Sequence, residues 1–250
     1  MPIANANGVD FHIQITGSGP TVVLLHGFMG NVATWYFTTA PVLARSHRVI
    51  MFDLRGHGKT QRIAEGYDIA TMSRDLAAIV DLNTDESVTL VGHSYGAAVA
   101  LNYAIEAPNR VKKLVLVEAP LPASNVDEVT RFSSLSTAEV IDVLPPGVKA
   151  ALENPQRHTR RGYETFHFLW HQTTLRRDFE AARDIHDDVL SRVTTPTLCV
   201  YGTTSRCRPV GERLSRVMPN AKLVLLEGGH YLPSETPEEL TRTIVDFVNG

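Results

Sequence analysis

A serine framed by two glycines, Gly92-His93-Ser94-Tyr95-Gly96, lies between an apolar run, Val88-Thr89-Leu90-Val91, and the helix-forming stretch Ala97-Ala98-Val99-Ala100-Leu101. A strand, a sharp turn and a helix in that order are the setting in which G-x-S-x-G makes a nucleophile elbow. There the serine backbone is strained and its hydroxyl projects from the end of a sheet. The glycines are required because a Cβ at either place would strike the neighbouring strand or helix. The same turn sets the N–H of Tyr95 at a helix N-terminus, where the dipole and unpaired donors favour a developing anion. A serine is a weak nucleophile alone and needs a base, an orienting acid and an oxyanion hole. His26-Gly27-Phe28 follows the apolar run Thr21–Leu25 and offers the N–H of Phe28 as a second oxyanion donor. Glu227-Gly228-Gly229-His230 follows the last apolar run, leaving His230 as the candidate base on a loop expected to be flexible.

The elements that must position these residues are legible as alternating patterns. Val9–Thr16 alternates as an edge strand would, and Thr21–Leu25, Arg48–Phe52, 88–91, 113–117, 197–201 and 222–226 are continuous apolar runs. Such runs fit strands covered on both faces. Helical spacing fills 72–82, 97–106, 210–218 and 237–248, the last opening on Pro237 with Glu238 and Glu239 behind it. Strands alternating with helices predict an α/β fold with a mostly parallel, doubly wound sheet. The alternation stops between Leu121 and Val193, a stretch punctuated by Pro122, Pro145, Pro146 and Pro155 and rich in aromatics from Tyr163 to His171. It reads as a helical cap, residues 121–193, over the carboxyl ends of the strands, with residues 1–120 and 194–250 forming the core. Trp35, Phe166 and Trp170 are the candidate pocket residues. For each, packing in a core is the competing reading.

Composition narrows the function. Of 250 residues, 43% are hydrophobic and 20% charged, and the formal net charge of −3 gives no electrostatic case for nucleic acid or an anionic membrane. The short basic clusters at 157–161 and 176–177 read as solvated helix faces. Two cysteines, Cys199 in an apolar run and Cys207 in a loop, support neither a disulfide framework nor zinc spacing, which points to a reducing compartment. The first residues lack a signal-peptide pattern, and no apolar run reaches the roughly 18 residues of a membrane helix. The expectations are a cytoplasmic protein, a small-molecule substrate, no cofactor and no metal, with monomer or homodimer left open.

These motifs in this order, His26-Gly27-Phe28, Asp53-Leu54-Arg55-Gly56-His57-Gly58, Gly92-His93-Ser94-Tyr95-Gly96 and Gly229-His230, resemble those of the α/β-hydrolase superfamily, of the kind with a helical cap. The resemblance spans nearly all of the chain outside the cap. It implies the α/β-hydrolase fold, Ser94 as nucleophile, His230 as general base and acid, and the N–H groups of Phe28 and Tyr95 as oxyanion donors. It also implies that the glycine-rich turn around Asp53 and His57 stabilises its loop, and that His93 belongs to the elbow. One departure stands out. Most relatives carry the triad aspartate in a Tyr-Gly-x-x-Asp loop, but here that loop reads Tyr201-Gly202-Thr203-Thr204-Ser205. A neutral hydroxyl cannot compensate an imidazolium as a carboxylate does. Some members of the superfamily carry the acid one strand earlier, where this chain has Glu118, with Glu227 as a weaker substitute. The resemblance therefore implies an ester, thioester or lactone hydrolase working through an acyl-enzyme. Carbon–carbon bond hydrolysis, lyase chemistry, cofactor-free oxygenation, or a small-molecule receptor with slow or no turnover are the alternatives.

Overall fold

The computed structural model describes residues 2–121, 139, 149 and 160–250. The prolines at 122, 145, 146 and 155 and the side chains of the basic cluster at 157–161 fall outside the described residues. Among the described residues the sheet has eight strands: β1 Ile3–Ala6, β2 Val9–Thr16, β3 Thr21–Leu25, β4 Arg48–Phe52, β5 Val88–His93, β6 Val111–Val117, β7 Thr197–Gly202 and β8 Ala221–Leu226. Their order is β1-β2-β4-β3-β5-β6-β7-β8. The β1–β2 and β2–β4 pairs are antiparallel and the remaining pairs parallel.

The parallel strands are apolar throughout because successive side chains enter two different cores. Val23, Leu25, Ile50, Phe52, Leu90, Leu114, Leu116, Cys199 and Tyr201 face one. Helices α3 (Ile69–Asn83), α4 (Tyr95–Glu106) and α8 (Arg208–Val217) cover it. The intervening Val22, Leu24, Val49, Met51, Val91, Val115, Val117, Leu198 and Val200 face the other. That face is closed by α1 (Ala33–Tyr36), α2 (Thr39–Leu43), α9 (Leu232–Glu235) and α10 (Pro237–Asn249). Local signals set the helix ends. The Asp68 side chain accepts the Thr71 N–H at 2.8 Å to cap α3, and Pro237 opens α10 with Glu238 and Glu239 in its first turn.

One element differs from its sequence reading. Val9–Thr16 is not the edge, because its first half pairs with β1 (Ile3↔His12) and its second half with β4 (Ile13↔Phe52). The edge is β1, four residues long and too short for its alternation to register against the turn that follows.

Between β6 and β7 the described chain is helical: α5 Arg160–His171, α6 Leu175–Glu180 and α7 Asp187–Leu190. Helices α5 and α6 pack on a third, smaller core made of Tyr67, Phe166, Leu169, Trp170 and Leu175. Hydrogen bonds tie them to the loop before α3. The Thr174 N–H donates to Ala64 O at 2.8 Å, and Asp178 Oδ2 accepts the Tyr67 N–H at 3.1 Å. No helix among the described residues is long and apolar enough to cross a membrane. Because β3 to β8 run parallel, the loops that follow β3, β5, β6, β7 and β8 emerge at one edge of the sheet.

Candidate active site

Ser94 ends β5 and begins α4 with φ 50° and ψ −120°, a conformation that a side-chain-bearing residue rarely adopts. It is held there from both sides. Its N–H donates to Val117 O at 2.8 Å, and its carbonyl accepts the N–H groups of Ala97 and Ala98 at 2.8 and 3.1 Å. The glycines allow the turn to close, since a Cβ on Gly92 would lie 2.5 Å from Ala97 Cα and one on Gly96 2.4 Å from His26 O. Tyr95 is the first residue of α4, so its N–H precedes the carbonyls that could accept it within the helix.

His230 faces this serine. Its Nε2 lies 2.8 Å from Ser94 Oγ, and its Nδ1 lies 3.1 Å from Glu118 Oε2. An ionised carboxylate only accepts, so Nδ1 carries a proton, and in the neutral imidazole the Nε2 lone pair then points at the serine hydroxyl. Glu118 follows β6 with φ 55° and is fully buried. Its N–H donates to Val200 O at 2.9 Å, which extends the β6–β7 pairing by one residue. Three donors converge on its carboxylate. The Gly202 N–H reaches Oε1 at 2.5 Å, while the Ser205 hydroxyl and His230 Nδ1–H reach Oε2. Ser205 thus stands where relatives were expected to carry the acid and donates a hydrogen bond to the carboxylate that lies against the histidine. Glu227 is directed elsewhere and accepts from the Thr203 hydroxyl at 3.4 Å.

The histidine loop is pinned, contrary to the flexible loop expected from its glycines. The Gly229 N–H donates to Glu235 Oε2 at 2.6 Å, and Gly228 O accepts the N–H of Thr204 at 3.0 Å and its hydroxyl at 2.8 Å. Buried His93 donates from Nε2 to the carbonyl of His230 itself at 2.9 Å. Burial, helped by the nearby His230, pushes the His93 pKa down to about 3, so that ring stays a neutral, fixed donor. Burial also works against a charged His230. Hydrogen bonds with Cys207 and Glu118 outweigh it and raise its pKa above the ordinary 6.5.

The glycine-rich turn after β4 braces the site from outside. Asp53 bonds His12 Nδ1 at 2.8 Å and accepts the N–H groups of Val32 and Lys59 at 2.7 and 2.8 Å. His57 donates to Arg55 O at 2.8 Å and is held neutral by burial, with a pKa near 3. His26 donates from Nδ1 to Gly27 O and accepts the Leu54 N–H, fixing the loop that carries Phe28 to the end of β4.

The aromatic candidates divide. Phe166 and Trp170 are buried and stack on each other with centroids 6.0 Å apart, forming the heart of the third core. Trp170 also reaches the ring of Phe28 at 6.2 Å. Trp35, expected at the pocket, belongs instead to the core on the α1–α2–α9–α10 face. There its indole donates to Leu25 O at 3.1 Å. It follows β3 by a turn that carries the ring under the sheet. Four contributors have roles that were not visible in the sequence. Phe179 on α6 packs edge-on against Tyr95 at 5.2 Å and Phe28 at 6.1 Å. His93, Ser205 and Cys207 gain their positions only when separate loops meet.

A family model described as alpha/beta hydrolase fold matches residues 20–167. An uncharacterised protein of Mycobacterium tuberculosis is 39% identical over 49% of this chain and 36% of its own length, so the chain spans about a third of that relative. A non-heme chloroperoxidase of Kitasatospora aureofaciens is 28% identical over the whole of both chains. The solved enol-lactonase of Burkholderia xenovorans superposes over the whole of both chains with a TM-score of 0.79 at 20% identity.

Proposed function

Because the chain belongs to the alpha/beta hydrolase family, we propose that it is a cofactor-independent serine hydrolase. In this reading it cleaves an ester, thioester or lactone of a small apolar molecule through an acyl-enzyme on Ser94. The observation that carries the reading is the unbroken relay from Glu118 through His230 to Ser94, at 3.1 and 2.8 Å. Ser94 attacks the carbonyl carbon as His230 Nε2 takes its proton. Glu118 keeps the imidazole in the Nδ1–H tautomer and compensates the imidazolium. The oxyanion rests on the N–H groups of Tyr95 and Phe28, helped by the N-terminal dipole of α4. His230 then protonates the leaving group and activates the water that frees the acyl group. Residues 121–193 act as a cap, and the rings of Phe28, Tyr95 and Phe179 beside the oxyanion donors favour an apolar acyl or aryl group.

The similarity to an enol-lactonase concerns the fold, and it adds lactones to the substrates worth testing. A receptor with no turnover would follow from a histidine lacking an acid. The carboxylate 3.1 Å from Nδ1 weighs against it. The test is incubation with a fluorophosphonate probe and intact-mass measurement. One adduct is expected on the wild type and none on Ser94→Ala; a wild type that stays unlabelled at alkaline as well as neutral pH would sink the serine mechanism. A panel of p-nitrophenyl esters, lactones, thioesters and a vinylogous diketone then sorts the bond type.

A further inference from the structure

Cys207 takes no part in the relay, yet its thiol abuts the relay's orienting half. A carboxylate oxygen of Glu118, Cys207 Sγ and a ring nitrogen of His230 all lie within 4.8 Å of one another, the one such trio among the described residues. We propose that Glu118, Cys207 and His230 form a binding site for a soft divalent cation of the zinc class, and that its occupancy switches Ser94 off.

Thiolate, imidazole and carboxylate are the three donor types that zinc takes, at about 2.3, 2.0–2.1 and 2.0–2.2 Å in tetrahedral array. Two nitrogen or oxygen ligands of one such ion lie about 3.3 Å apart by that geometry. His230 Nδ1 and Glu118 Oε2 are already 3.1 Å apart. The sulfur lies within 4.8 Å of both and closes the third side of the face. Its backbone is anchored, since the Cys207 N–H donates to Ser205 Oγ at 3.1 Å. Gly202 N–H and Ser205 Oγ–H remain on the Glu118 carboxylate as outer partners of the kind that hold a metal ligand in place. Cys207 is only half-buried, which gives the cation a route in from solvent.

The switch follows from proton placement. The cation takes the Nδ1 lone pair, so the imidazole keeps one proton on Nε2; any second ring proton and the Cys207 thiol proton go to solvent. An Nε2–H can donate to Ser94 Oγ but cannot accept from it. His230 is then no longer a base, while the pocket beside Phe28 and Phe179 is untouched. Turnover falls with KM unchanged. Binding stands on the geometry alone, whereas the switch rests on the proposed roles of Ser94 and His230.

The experiment titrates zinc chloride alone into the whole protein by calorimetry, in a buffer that does not chelate, with Cys207→Ser alongside. One site is expected on the wild type, weakened at least tenfold by Cys207→Ser, with protons released as zinc binds. Should that variant fail to fold, the alkylation rate of Cys207 in the wild type decides, because Cys199 is buried and slow. Zinc is expected to slow that rate at least tenfold. Equal zinc affinity in Cys207→Ser, as the His167–His171 pair on α5 would give, or unprotected Cys207, overturns the site. Fluorophosphonate labelling of Ser94 is then timed with and without zinc. At least tenfold slowing, reversed by EDTA, is expected; zinc bound with labelling unslowed overturns the switch. Absence of labelling without zinc, at alkaline as well as neutral pH, rejects the serine-hydrolase reading and leaves the binding result standing.

Discussion

Two of the three relay residues have positive φ, Ser94 at 50° and Glu118 at 55°, a state shared among the described non-glycine residues only with Asn7 and Met29. Such backbones cost about 1–3 kcal/mol each and persist where neighbours over-determine them. Here the pinning comes from strand-type bonds to Val117 and Val200. Glu118→Gln keeps the shape but presents an amide where three donors converge, and it permits the wrong imidazole tautomer. A fall in kcat of up to about 10⁴ is expected. The pH profile gives an independent reading. His230 must be neutral to act as base and its pKa is raised, so acylation climbs as pH rises through that elevated value. Removing the Glu118 charge lowers the pKa, and the rising limb should move to lower pH while the plateau drops. A limb that stays put in Glu118→Gln would show that this carboxylate does not charge-compensate His230. Ser205→Asp should lower activity in the wild type, where it swaps a donor for a second carboxylate beside Glu118. In Glu118→Gln it should restore part of what was lost. Ser94, His230 and Glu118 were legible because each follows a recognisable strand and because position 205 lacks a carboxylate. His93 and Cys207 were not, since the direction of a loop side chain depends on which other loop it meets.

At the scale of elements, α6 and α5 divide the labour of the segment over the sheet edge. Trp170 on α5 is buried in the third core against Phe166, so Trp170→Ala should cost about 3–5 kcal/mol of stability as an unfilled cavity. Phe179 on α6 is half-buried between Phe28 and Tyr95, beside the proposed oxyanion donors. Phe179→Ala should shift kcat/KM between short and long or aryl acyl groups by tenfold or more with a smaller loss of stability, read from an ester panel and urea melts. An unchanged profile would make Phe179 a packing residue only. The sequence pointed to the aromatics of α5 because they cluster, and that clustering marks a core. Phe179 stands alone in Leu175–Glu180 and carries no periodic signal. The long elements were readable for the opposite reason. β3 and β4 matched their apolar runs residue for residue, because alternate side chains enter two cores and no polar residue interrupts them. The helices Ala33–Tyr36, Thr39–Leu43 and Leu232–Glu235 are a turn or so long and escaped notice, being too short for a 3.6-residue period to show.

Across the molecule, the antiparallel end of the sheet is secured by a buried polar junction far from the relay in sequence. Arg55, in the loop after β4, places Nε and Nη2 on the two carboxylate oxygens of Asp75 in α3 at 2.9 and 2.7 Å. Asn7, in the β1–β2 turn, donates to Asp75 Oδ1 at 2.7 Å. One carboxylate thus joins the edge hairpin, the β4 loop and a helix of the first core. Both charged side chains are shielded, so deleting one leaves the other buried without compensation. Asp75→Ala should therefore cost about 3–5 kcal/mol, or roughly 6–20 °C in Tm for a chain of this size. None of its three members touches Ser94, Glu118 or His230, so fluorophosphonate labelling of the fraction that remains folded should change only a few-fold. A double-mutant cycle with Arg55→Met separates the pair from its surroundings. If the ion pair is what anchors this end, Arg55→Met with Asp75→Leu should be clearly more stable than the summed losses of Arg55→Met and Asp75→Leu alone, because no stranded charge remains. Additive losses would instead assign the stability to packing around α3, and the hairpin would then be expected to exchange its amides as slowly in Asp75→Ala as in the wild type.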